Sequence, residues 1–146
     1  MTPSRTKSTA YAAWLILPAI LVAFSDAALT LVFQPATYWA GEFFTAHESN
    51  LLGAMFLHIH PVAFIAFMFA WISVFVFLGL RLSHPWDKVT VLTVILGHTS
   101  GTFGRLEHLS FMGALPVFFL AALVTIFCWN RAETLAGALP QAATGA

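Results

Sequence analysis

The stretch "FLHIHPVAF", residues 56–64, sets two imidazoles and a proline inside an apolar run that extends over residues 51–80. As one helix this run would be about 45 Å long, whereas a bilayer core needs only about 20 residues. Pro61 resolves the excess in one of two ways. As an early residue of a helix it is well placed, because its missing amide would have no intrahelical acceptor there. Residues 62–80 then suffice to cross the membrane, and "SNLLGAMFLHIH" becomes a separate segment at the surface. In a continuous helix, Pro61 instead removes the amide that would bond the Leu57 carbonyl, and it leaves a kink. Both readings put irregular backbone beside His58 and His60. A two-residue step turns side chains about 200° apart on a regular helix, so the two imidazoles do not form a same-face pair. His60 reads as the inward residue, on one stripe with Gly53, Phe56 and Leu57, and His58 as turned toward the loop.

The composition around this stretch sets the class of protein. Of 146 residues, 60% are hydrophobic and 8% charged, with 15 Phe and 5 Trp, too little polar surface for a soluble domain of this size. The apolar residues gather into four blocks that occupy nearly the whole chain, so no soluble catalytic domain fits beside them. The first block follows "MTPSRTKSTA"; it is long for a signal peptide, contains Asp26 and lacks a clear cleavage pattern, and it reads as a retained span. The single cysteine, Cys128, excludes an internal disulfide and reads as a small buried side chain. A net charge of zero argues against nucleic acid as a partner.

The expected architecture is all-α: an integral membrane four-helix bundle of the cell inner (cytoplasmic) membrane, with both termini cytoplasmic. Its transmembrane domain covers residues 12–132, with spans near 12–33, 51–80 (broken near 61), 89–109 and 111–130. A cytoplasmic tail, 1–11, precedes it and a flexible tail, 133–146, follows. The orientation rests on the positive-inside rule, since Arg5, Lys7, Arg81, Lys88 and Arg131 share one side and only Arg105 falls near the other. In that arrangement Asp26, His47, Glu48, Asn50, His58, His60, Arg105, Glu107 and His108 lie in the outer half or at its rim. His98 comes near mid-membrane, and the inner half holds few comparable groups between its helices.

Three positions carry the chemistry. Asp26 lies on the order of 10 Å from the outer end of the first span, where a carboxylate must be paired, protonated or bound to a cation. Thr30, one turn on, shares its face and is a candidate donor to it. In "LGHTSGTFGRLEHL", His98, Thr102 and Arg105 stand on one helical face beside Gly97, Gly101, Gly104 and His108, a stripe that lets a helix or flat ligand approach closely. Asn50 and Ser49 are candidate caps for the second block.

Asp26, Glu48, His60, His98 and His108 are the candidate ligands of a transition metal (zinc, iron or copper), in a site able to keep one position open for water or substrate. No HExxH or CxxC spacing supports it, so the argument rests on shared depth in the membrane. The alternative cofactor is a haem between His60 and His98, with Arg105 in the same pocket. A non-catalytic structural or assembly subunit is the third reading. Membrane lipid is the expected partner, with other membrane proteins or a second copy of the chain as candidates.

Residues 25–61, through "SDAALTLVF" and "HESNLLGAMFLHIHP", resemble a family of small prokaryotic multi-pass membrane proteins. That family has an Asp and a Thr in the first span, and a Glu-x-Asn followed by leucines opening the second. Asp26, Thr30, Glu48 and Asn50 match those positions, while Leu51 stands where a proline usually follows. The resemblance implies no particular reaction, but it directs interest to Asp26 and Glu48.

Overall fold

The structure, a computed structural model, describes residues 9–106 and 111–137. These form α1 (Thr9–Val32), α2 (Ala36–Trp39), a 3-10 turn (Phe43–Thr45), α3 (Leu51–Ile59), α4 (Pro61–Arg81), α5 (Trp86–Leu106) and α6 (Phe111–Gly137). Residues 1–8, 107–110 and 138–146 lie outside the described residues, and with them Glu107, His108 and most of the two expected tails.

The simple four-helix bundle with both termini cytoplasmic is corrected. Among the described residues, three helices are long and apolar enough to cross a membrane: Thr9–Val32, Pro61–Arg81 and the part of α6 over Leu115–Ala136. The described residues form six α-helices. The segment expected as a span at 89–109 forms α5, which carries Asp87, Lys88, His98 and Arg105 as well as Thr90, Thr93, Thr99 and Thr102. α5 packs against all three apolar helices, so several of its polar groups meet protein. The chain is thus an all-α protein with multi-pass membrane character.

α1 and α5 form the central pair, and α4 and α6 each pack against both. Buried residues of α1 recur at helical spacing through Ala12, Leu15, Ile16, Ala19, Ala23 and Thr30. The alanines bring the neighbouring backbones close, which is how helices associate where lipid is as apolar as the side chains. Asp26 continues the same stripe, so it faces protein. On α5 the matching face runs from Asp87 through Val91, Val94 and Ile95 to Thr102. The three aliphatic side chains form a dry layer between two polar ends.

The break in the second block falls at His60, the residue between α3 and α4. Asn50 opens α3 by accepting the amides of Leu52 and Gly53 through Oδ1. Pro61 opens α4, and His60 Nδ1 accepts the Val62 amide at 3.1 Å, capping the new helix. Replacing His60 by alanine should cost about 0.5–2 kcal/mol through the lost cap, while His60→Asn should retain stability, since asparagine caps well. Thermal unfolding in mild detergent checks this pair of outcomes.

The connection between α1 and α3 is held down by Gln34. Its side-chain amide donates to the carbonyls of Thr30 (2.8 Å) and His47 (3.1 Å), and its Oε1 accepts the His47 amide at 2.8 Å. The Tyr38 hydroxyl donates to the Leu57 carbonyl, and burial pushes this phenol up from its ordinary pKa. The loop is thereby fixed on the ends of α1 and α3, which settles where Glu48 sits.

Candidate functional site

Two acidic side chains, one from α1 and one from this loop, meet α5 on the wall of a single cavity. Asp26 Oδ2 lies 2.9 Å from His98 Nδ1, and Thr102 donates its hydroxyl to Asp26 Oδ1 at 3.2 Å. One turn further, the Arg105 guanidinium donates to Glu48 Oε2, and it also reaches the Gly101 carbonyl. Glu48 Oε1 accepts the Asn50 amide at 2.8 Å. Exposure is low throughout: 13% for the Asp26 side chain, 15% for His98 and Arg105, and 5% for Glu48. Groups this enclosed persist only when paired or well hydrogen-bonded: Glu48 is paired with Arg105, and Asp26 is hydrogen-bonded to His98 and Thr102.

Glycine makes room for each carboxylate. A Cβ on Gly101 would stand 3.1 and 3.2 Å from the Asp26 oxygens, and one on Gly53 would stand 3.1 Å from Glu48 Cγ. Gly97, one turn before Gly101, has open space instead, with nothing within 4 Å of an added Cβ. The expected glycine stripe therefore has two uses, a seat for Asp26 and a gap.

The cavity measures about 440 Å³, within the range of small-molecule pockets. Asp26, His98, Glu48 and Arg105 line one part of it, and Phe67, Met68, Trp71 and Phe75 of α4 line another. The Trp71 ring lies 6.0 Å from Phe67 and 5.0 Å from Phe75, so this wall is continuous aromatic surface.

An ionised carboxylate only accepts hydrogen bonds, so beside ionised Asp26 a neutral His98 carries its proton on Nδ1. That leaves Nε2 with a lone pair, the orientation used wherever a carboxylate holds an imidazole as an acceptor or base. Two carboxylates against one guanidinium leave the site with one negative charge when His98 is neutral. Protonation of His98 cancels it.

The geometry brings some of the expected site residues together and leaves others apart. Asp26, Glu48, His98 and Arg105 are brought together, but His60 is not among the cavity's lining residues. It is exposed, its Nδ1 is taken up as a helix cap, and its ring packs edge-on to Phe43. His58 is exposed as well. The described histidines therefore form no cluster, and His60 and His98 do not share this cavity. Among the described residues no group of three or more His, Cys, Asp or Glu is arranged to hold a metal ion. His108 lies outside the described residues. Thr30 donates to the Asp26 backbone carbonyl at 2.8 Å, and the hydroxyl that reaches the carboxylate is that of Thr102.

The opposite end of α5, expected to hold few polar groups between helices, carries a buried group of its own. Asp87 is fully buried, accepts the Lys88 amide and hydrogen-bonds the Tyr11 side chain. Lys88 pairs with Glu133 and lies over the Trp129 ring. Because α6 continues to Gly137, Glu133 stands on a helix, where it ties α5 to α6. The only sequence signal for this group was an aspartate in the first turn of a helix, which reads equally well as an ordinary end charge.

No protein-family model matches the chain, and no curated protein or solved structure matches it either. The resemblance noted over residues 25–61 rests on those residues alone.

Proposed function

We propose that the protein is an integral protein of the cytoplasmic membrane that binds a small ligand in the cavity between α1, α4 and α5, with His98 as the acceptor for the ligand's donor group. The observation that carries this reading is the 2.9 Å contact of Asp26 Oδ2 with His98 Nδ1 on the cavity wall, with no hydrogen-bond partner for Nε2 among the described residues. A hydroxyl or an amine offers the proton that this nitrogen accepts, and an ammonium group also supplies the positive charge that the site lacks. Arg105 is engaged by Glu48, so it serves chiefly to hold Glu48 and the loop in position. Asp26 orients the ring, a positioning role exerted through His98.

A metal ion is the competing occupant. Asp26 and His98 offer two donors to it, and Glu48 is already committed to Arg105 and to the Asn50 amide.

The test uses ring-nitrogen NMR of His98 in protein reconstituted into phosphatidylcholine vesicles, with butylamine as the probe. Wild-type protein is expected to show the Nδ1–H tautomer and a saturable shift of Nε2 on adding butylamine. Asp26→Asn should mix the tautomers and weaken the apparent affinity about tenfold, equivalent to ~1.4 kcal/mol. An unmoved Nε2 signal at saturating amine refutes the reading. Stoichiometric zinc, iron or copper that disappears in both Asp26→Asn and His98→Ala protein establishes the metal in its place.

A further inference from the structure

We infer that the natural occupant of this cavity is a single-chain amphiphile with an amine or hydroxyl head, its hydrocarbon tail lying in the groove between α4 and α5. The inference rests on the donor-group reading of His98 and adds the class of ligand.

The dimensions select one tail. Along α5 the lining runs from Arg105 back to Thr93, and along α4 from Phe64 to Phe75. At ~1.5 Å per residue these stretches are about 18 and 16 Å long. That is about half of a hydrocarbon core ~30 Å thick, the depth one lipid tail reaches from its own surface. The volume agrees. At the roughly 30 Å³ that a water-sized group occupies, 440 Å³ holds about fifteen such groups, enough for one chain and far too few for a two-tailed lipid.

Polarity is graded along the same line. Glu48, Arg105, Asp26 and His98 stand toward one end, while Trp71 and Phe75, which also stand beside Thr90, Val91 and Val94, form the wall beyond them. A soluble polar ligand would leave that aromatic wall empty, and a plain hydrocarbon would leave His98 Nε2 unmatched. Between the two regions lies Gly97, which is exposed and has open space where its side chain would be. Thr93, one turn earlier on α5, and Trp71 on α4 are exposed too, so the groove is open along its side. A tail can therefore enter from the surrounding bilayer.

The probe is hexadecylamine brominated at mid-chain, added to protein in phosphatidylcholine vesicles, where no detergent tail competes. Bromine quenches tryptophan on contact, and Trp71 lines the groove. Saturable quenching is expected in the wild type and should vanish in Trp71→Phe. Gly97→Leu starts its side chain in open space, and it should weaken the apparent affinity at least tenfold while leaving thermal stability close to that of the wild type. Quenching that is unsaturable and identical in Gly97→Leu reports only partition into bulk lipid and overturns the inference. If butylamine and hexadecylamine shift His98 Nε2 with equal affinity, and Gly97→Leu alters neither, the tail assignment fails while the donor-group reading stands. If neither amine moves that signal, both fail.

Discussion

Replacing Arg105 by alanine should destabilise the protein by about 3–5 kcal/mol, the cost of leaving one member of an enclosed ion pair without its partner. Glu48 makes the effect large. Its side chain is 5% exposed, its Oε2 accepts from the guanidinium, and its other oxygen is occupied by the Asn50 amide. Without the guanidinium this carboxylate must take up a proton or pull away from Gly53, which it packs against. Pulling away would disturb Asn50, whose own side chain caps α3, so the damage should spread into that helix. The double variant Glu48→Gln with Arg105→Ala should recover a large part of the loss, because no bare charge then remains. Denaturation of detergent-solubilised protein measures both. Equal stability of Arg105→Ala and wild type would show that the pair is solvated and that the loop is held by Gln34 alone.

The second large effect should come from Gly101→Val. A Cβ at this position would already stand 3.1 and 3.2 Å from the two Asp26 oxygens, and valine adds two methyl groups on a stiff branch. The carboxylate would have to leave, giving up His98 and Thr102 together, and overpacking of this kind costs about 1–3 kcal/mol before the unpaired charge is counted. Binding of butylamine should be abolished along with stability. Gly97→Val supplies the comparison on the same helix one turn away, where open space predicts a stability change within about 0.5 kcal/mol. Similar losses in the two variants would mean that helix propensity, and not the seat for Asp26, explains the result.

These two predictions concern partners that no local pattern specifies. On α5, the spacing of His98, Thr102 and Arg105 was enough to put them on one face. Which residue each would meet was not available from spacing. Asp26 and His98 are 72 residues apart, and Arg105 and Glu48 are 57 apart. Asn50 and Pro61 were legible as helix starts because capping and a missing amide act within one turn. His60 was misread for the same reason turned round: its ring is consumed locally by the Val62 amide, and a histidine cap leaves no periodic signature.

The count of spans shows the same boundary. By its apolar blocks the sequence alone determined a chain made for a membrane, with irregular backbone at Pro61 and ionisable groups too costly to leave in lipid unpaired. It did not determine that α5, read as a fourth apolar span, would be the polar helix that packs against all three apolar ones, nor that Asp87 would be buried at its far end. Hydropathy and periodicity are properties of one segment and report what it can face. Partner choice, the seat at Gly101 and the gap at Gly97 depend on how helices distant in the chain approach one another, so only the tertiary structure decided them.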